Sequence, residues 1–132
     1  MKSVLSGLVG SCLLVAVAGC NPLDLNDNVL LAVTKLDAPA TAAATESFTV
    51  TLTVVTGGCT TFNRIDVQRF DEGVRLIPLG TNLSVRHEDV VCTQNLEEEP
   101  HDVQLDPPFT NPYTVFVEQG DQPAFTATVQ VQ

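Results

Sequence analysis

The chain has 132 residues, with six Lys or Arg residues against sixteen Asp or Glu residues and a formal net charge of −10. This length corresponds to a single domain. The acidic balance argues against nucleic acid and against an anionic membrane surface as partners, because both are bound by patches of Lys and Arg. We therefore expect no nucleic-acid partner.

The first twenty residues have the anatomy of an export signal. Lys2 precedes a run from Val4 to Val17 that is apolar or small apart from two serines, and Ala18 and Gly19 are the small residues that a signal peptidase requires. The run is shorter than a comfortable membrane-spanning helix. We predict a cleaved signal helix at residues 1–19.

The sequence Val17-Ala18-Gly19-Cys20 resembles the lipobox of bacterial lipoproteins. The resemblance implies that Cys20 carries a diacylglycerol thioether and that residues 20–28 form a lipidated tether. Two or more acyl chains hold a protein stably on a membrane. The resemblance thus implies a protein of the bacterial cell envelope, on the outer side of the cytoplasmic membrane or in the outer membrane. An ordinary secretory signal with a coincidental cysteine is the alternative.

Removal of the signal simplifies both the charge and the cysteines. Without Lys2, five basic residues remain against sixteen acidic residues, a formal net charge of −11. Cys12 leaves with the signal and Cys20 is acylated, so Cys59 and Cys92 are the only cysteines left to pair. Because exported compartments are oxidising, we predict a Cys59–Cys92 disulfide.

The remaining residues, 29–132, predict an all-β domain. The clearest strand is Glu46–Thr56, in which apolar residues alternate with Ser and Thr as they do when one face of a strand is buried. The predicted strands are Val29–Leu36, Glu46–Thr56, Phe62–Phe70, Val74–Leu79, Leu83–Cys92, His101–Asp106, Tyr113–Val117 and Phe125–Val131.

Several residues predict the connections between these strands. Asp37–Thr45 is predicted as a connector, and Gly57-Gly58 as a turn. The apolar residues of Phe62–Phe70 change phase, which predicts a bulge. Pro78 lacks a backbone N–H, so we place Val74–Leu79 at the edge of a sheet.

Seven or eight short strands with no helical period predict an antiparallel β-sandwich, with a small barrel as the alternative. The pattern resembles immunoglobulin-like and fibronectin-III-like domains, and in particular the Ig-like domains of small bacterial lipoproteins. Unlike antibody domains, the chain has no tryptophan. Because such folds carry many activities, the resemblance implies no activity by itself.

The sequence lacks the motifs of common catalytic sites. It has no Gly-x-Ser-x-Gly elbow and no glycine-rich phosphate loop, and His87-Glu88-Asp89-Val90-Val91 lacks the second histidine of a zinc protease. We predict that the protein is not an enzyme and carries no cofactor.

An acidic segment is the densest group of polar residues. We interpret it as a solvated loop without a metal. The alternative is a cation site, with calcium on the carboxylates or with zinc or copper on His101, Asp102 and the distant His87. The candidate ligands in the segment are Glu97, Glu98, Glu99, His101 and Asp102.

Two aromatic residues need an explanation. We interpret Phe109 as a plug at one end of the core, with an exposed anchor for a partner as the alternative. Phe116 faces opposite to Val115 and Val117. We expect it under a neighbouring loop, or else on an exposed sheet face.

These observations predict a non-catalytic, membrane-anchored envelope lipoprotein that serves as an interaction, adhesion or accessory structural module for an unidentified envelope protein. The edge near Val74–Leu79 is the first candidate surface, because an unpaired strand can accept a partner strand. The alternative is a lipoprotein that binds a cation or small ligand through residues 97–102.

Overall fold

A computed structural model describes residues 28–86 and 91–132. The predicted signal peptide, Cys20 and the tether up to residue 27 lie outside these ranges, as does His87. The described chain is all-β apart from one helical turn, α1 (Leu83–Arg86). The strands are β1 (Val29–Leu30), β2 (Val33–Asp37), β3 (Thr41–Ala42), β4 (Phe48–Gly57), β5 (Thr60–Phe70), β6 (Gly73–Asn82), β7 (Leu96–Leu105), β8 (Tyr113–Val117) and β9 (Phe125–Val131).

The strands form one curled sheet in the order β2-β4-β5-β6-β8-β9-β3, with β7 added to β4 and β1 added to β6. The hairpin strands β4 and β5 pair with each other only at Gly57 and Thr60, beside the turn that joins them. The sheet bends there, so that β7, β4 and β2 lie over the other strands. The buried side chains of both parts form one core cluster.

The sheet is mixed, which corrects the prediction of a purely antiparallel sandwich. β8 runs parallel to β6, and β9 runs parallel to β3. Parallel neighbours need a long crossover connection, and the chain between β6 and β8 supplies one by running through β7 on the other part of the sheet. Alternation along a strand predicts which face is buried but not the direction of its neighbour.

The strands with the clearest alternation were predicted correctly. Val50, Leu52 and Val54 of β4 are fully buried, and the threonines between them point away from the core. β8 and β9 pair antiparallel across the predicted hairpin. The predicted bulge lies between Phe62 and Arg64 of β5.

The predicted first strand is divided in two. β1 pairs with β6, whereas β2 pairs with β4, so the chain crosses between the two parts of the sheet at Leu31 and Ala32. Leu31 N donates to Pro78 O at 2.9 Å, and Ala32 O accepts from Val55 N at 2.9 Å. The predicted connector Asp37–Thr45 contains the short strand β3.

The edge position predicted for Val74–Leu79 is wrong. β6 lies inside the sheet, with β5 along one side and both β8 and β1 along the other. Pro78 is fully buried. Its carbonyl points toward β1, and it lies between Leu76, where pairing with β8 ends, and Leu79, where pairing with β1 begins. The missing N–H thus faces a gap between two partner strands. A proline can therefore occupy this position although the strand is not at an edge.

The strand predicted at Leu83–Cys92 is also wrong over its described residues. Leu83–Arg86 form α1, and residues 91–95 are irregular. The Asn82 side chain accepts hydrogen bonds from Ser84 N at 3.0 Å and from Ser84 Oγ at 2.6 Å. This local bonding favours a turn over an extended strand.

Candidate functional site: an open flank between two edge strands

The two parts of the curled sheet leave one side of the domain open. β5 pairs along its length with β6 alone, and β7 pairs with β4 alone. Within residues 28–86 and 91–132, the only strand pairing along these outer edges is that of Thr60 with Gly57, beside the turn. We call this side the open flank. Its inward-facing side chains are Phe62, Ile65, Val67 and Arg69 of β5 and Glu97, Glu99, His101 and Val103 of β7.

The β5 edge offers unprotected backbone groups. Leu76 O accepts from Glu118 N and Pro78 O accepts from Leu31 N, so both residues of β6 point away from β5. Their antiparallel partners on β5 are Val67 and Ile65. Because directly opposed residues in an antiparallel pair share the same hydrogen-bonding state, Ile65 and Val67 direct their N–H and C=O groups outward.

The β7 edge is protected. Val55 N donates to Ala32 of the neighbouring segment, so Val55 and, by alternation, Thr53 point away from β7. Their partners Glu98 and Pro100 therefore turn their backbone toward the free edge. Pro100 has no N–H to offer there, and proline and charged residues are devices that prevent edge pairing. The two edges are thus unequal, and β5 is the receptive one.

Side chains close the open flank at both ends. At one end the ring of Phe62 stacks on His101, with ring centroids 3.6 Å apart. At the other end Arg69 donates to the carbonyl oxygens of Asp106 and Pro108, the latter at 2.6 Å. Between these closures Val67 remains 45% exposed although it shares a face with buried Leu76. The middle of the flank is therefore an apolar surface beside free backbone groups.

Phe109 is the predicted plug. Its ring packs 4.8 Å from that of Phe48 and 5.0 Å from that of Tyr113, and the Arg69 guanidinium lies 5.7 Å from its centroid. Burial raises the pKa of Tyr113, although the nearby Arg69 opposes this effect. The buried Tyr113 hydroxyl has no hydrogen-bond partner among the described residues.

A polar cleft of about 450 Å³ adjoins the Phe62 end of the flank. Thr56 is almost fully buried, and its Oγ1 donates to Glu99 Oε1 at 2.8 Å. His101 Nε2 lies 3.2 Å from Glu99 Oε2. The Thr56 hydrogen bond holds the pKa of Glu99 below its ordinary value, with desolvation opposing and His101 reinforcing the shift. The cleft therefore presents hydroxyl, amide and carboxylate groups to solvent.

The acidic segment is part of a strand, so its interpretation as a loop is wrong. It pairs with β4 along its whole length. Side chains of a strand alternate between faces, so Glu98 and Asp102 point away from Glu99 and His101. Asp102 accepts from Thr51 Oγ1 at 2.6 Å. No three His, Cys, Asp or Glu side chains in the described ranges are arranged to hold a metal ion.

Phe116 lies on the outer face of the sheet, where its side chain is partly buried. Its nearest ring is that of Phe70, 5.6 Å away, and Phe70 is itself 43% exposed. The predicted disulfide is formed between Cys59 and Cys92, whose Cα atoms are 5.1 Å apart.

Sequence reasoning missed the β5 edge because it assigned the edge to the neighbouring strand. The out-of-phase apolar residues of Phe62–Phe70 were the available signal, since a strand that lies at an edge needs fewer buried positions. Comparison with known proteins adds no relative, because no family model, curated protein or solved structure matches this chain. No helix in the described ranges is long and apolar enough to span a membrane.

Proposed function

We propose that this chain is a non-catalytic lipoprotein of the bacterial cell envelope that binds a protein partner along its open flank. The lipobox resemblance at Val17–Cys20 supports the anchor and the location. The absence of catalytic motifs from the sequence supports a binding role. We also propose that the fold is an Ig-like sandwich in which two pairs of strands are parallel.

The observation that carries the proposal is the β5 edge. Ile65 and Val67 direct their backbone groups outward next to a half-exposed apolar side chain, whereas Pro100 removes an N–H from the edge of β7. Proteins generally protect edge strands from pairing. An edge left receptive beside a protected one fits a strand that accepts an extended segment of a partner.

The test is a photo-crosslinking amino acid at Val67 in cells of the native host, with Thr128 as the control position. Thr128 is exposed on β9, where it pairs with Thr114 of β8, and β3 pairs with the same strand at Gln130 and Val131. We expect one recurrent protein adduct at position 67 and none at position 128. Equal, background-level adducts at both positions would contradict binding at the flank.

A matched pair of substitutions tests the edge itself. Val67→Lys places a charge on the inward face of the edge, which should weaken partner binding about tenfold or more. Gln68→Lys adds the same charge to the same strand on the opposite face and should bind normally. The measurement is the amount of the partner protein that each purified variant captures. Equal binding by both variants would exclude strand addition at β5.

A small-ligand function is the second candidate, and the cleft beside Glu99 is the observation that favours it. A ligand that binds the native state raises the melting temperature. A polyhydroxylated or cationic small molecule that raises the melting temperature of the wild type, but not that of Thr56→Val, would support the ligand function. Stabilisation by the partner protein alone supports the interaction module.

A further inference from the structure

One end of the domain gathers the segments nearest the anchor. Gly57 pairs with both Thr60 and Leu96, and Thr60 pairs with Asn82. The disulfide and the hydrogen bond from Leu83 N to Cys59 O, at 3.0 Å, join the same segments. We call this the tether end. It consists of Val29–Leu30, Gly57–Thr61, Thr81–Ser84 and Val91–Leu96.

Large apolar side chains are exposed mainly at this end. Val91 is 92% exposed and Leu96 is 76% exposed, and Leu83 and Leu30 are 41% and 36% exposed. Only Val67 and Phe70 are comparable among the other described residues. Single exposed apolar residues are ordinary, but a group at one end marks an interaction surface.

The four described segments of the tether end contain no charged residue, although Glu97 directly follows Leu96. None of them contains Asp, Glu, Lys, Arg or His, in a chain with twenty-two charged residues. Residues 87–90, which connect Arg86 to Val91, lie outside the described ranges. Segments without formal charge lose little solvation when they approach a neutral lipid surface.

The position of the anchor selects the occupant. The described chain begins at Asn28, immediately before β1 at this end. Asn28 is eight positions after Cys20, and eight residues span about 28 Å when fully extended. A lipid on Cys20 therefore keeps the tether end close to the membrane, where the effective concentration of lipid is high.

We propose that the tether end rests on the membrane that carries the anchor, with Val91, Leu96 and Leu83 in the interfacial region of the lipid. This inference rests on the lipid anchor of the proposed function. It gives the domain one orientation: the strands stand away from the membrane, the open flank faces sideways, and the loop at residues 106–112 lies at the end opposite to the membrane.

Tryptophan fluorescence tests this orientation directly, because the chain contains no tryptophan. Val91→Trp replaces a fully exposed side chain and leaves the core intact. Thr110→Trp, exposed at the opposite end, is the matched control. Each lipidated full-length variant is incorporated into phosphatidylcholine vesicles with and without brominated acyl chains.

We expect Val91→Trp to shift its emission to shorter wavelength on vesicles and to lose about half its intensity with brominated lipid, as for a side chain about 5–10 Å below the surface. Thr110→Trp should show neither change. Leu83→Trp should behave like Val91→Trp. Unshifted, unquenched emission from both Val91→Trp and Leu83→Trp on protein that floats with the vesicles would overturn the proposal.

Two further outcomes separate this inference from its premise. Failure of the protein to float would contradict the anchor, and a hexahistidine tag in place of Cys20 on nickel-chelating vesicles would still test the orientation. A concentration-dependent shift of Val91→Trp without vesicles would identify a second copy of the chain as the occupant and would overturn the membrane assignment.

Discussion

The hydrogen bond from Thr56 to Glu99 makes stability depend on pH. It holds the pKa of Glu99 below its ordinary value in the folded chain. A lowered folded-state pKa stabilises the fold above the unfolded-state pKa, about 4.3, and this contribution is lost as the pH falls through the folded-state value. Glu99 therefore contributes fully at neutral pH and not in strong acid.

We predict that Thr56→Val lowers the free energy of unfolding by about 1 kcal/mol at pH 7, since a hydrogen bond to a partly exposed carboxylate has a modest value. The difference from wild type should shrink as the pH falls below 4. Urea unfolding between pH 7 and pH 3 measures it. Thr53→Val, on the opposite face of β4, is the control. A pH-independent difference would exclude the carboxylate as its cause.

Residue types alone predicted the features that depend on local chemistry. Cys59 and Cys92 were the only pair left after the lipobox, and Phe109 stood among prolines next to a predicted strand. The Arg69 closure was not predictable, because the carbonyl oxygens of Asp106 and Pro108 carry no sequence signal and lie far along the chain. Long-range partners of this kind depend on the fold.

At the scale of elements, the neighbours of β6 leave no room at Gly80. A Cβ atom there would collide with the carbonyl oxygen of Thr61 and with the Leu31 side chain. Backbone atoms of a paired strand cannot move aside without breaking the ladder. The close approach of these neighbours therefore requires glycine at position 80.

We predict that Gly80→Ala lowers the free energy of unfolding by about 1–3 kcal/mol, the usual cost of overpacking a core position. Thr126→Ala, on the outer face of β9, should stay within about 0.5 kcal/mol of wild type. Denaturant titration of both variants compares them. A change for Gly80→Ala as small as that of the control would show that β1 and β5 yield at this point.

Strands could be predicted from the sequence where only one of their two faces is buried. β4, β8 and β9 alternate because their inner faces meet the core and their outer faces meet water. The first half of β7 was not predicted as a strand, since β7 lies at an edge and this half carries carboxylates on both faces. β6 was misplaced because Pro78 has two explanations, an edge or an internal gap, and only the partner strands distinguish them.

At the scale of the whole molecule, the disulfide is the covalent link across the tether end. It joins residues 33 apart in sequence and ties the connection after α1 to the β4–β5 turn. Closing a loop of this size restricts the unfolded chain, which corresponds to about 3–4 kcal/mol in the chain-entropy model.

We predict that Cys59→Ser with Cys92→Ser lowers the free energy of unfolding by about 3–4 kcal/mol. Urea unfolding of the wild type with and without a thiol reductant should give a similar difference. The doubly substituted variant should not respond to reductant. If the reductant also destabilised that variant, the decrease in the free energy of unfolding would have a cause other than the Cys59–Cys92 disulfide.

The direction and order of the strands set a condition on how the chain folds. β9 pairs antiparallel with β8 and parallel with β3, joining Gln130 to Thr41. The sheet therefore cannot be completed until synthesis has passed residue 131, and pairing between segments so distant in sequence is slow. For a chain that is exported as we propose, translocation that begins before synthesis ends meets no finished domain.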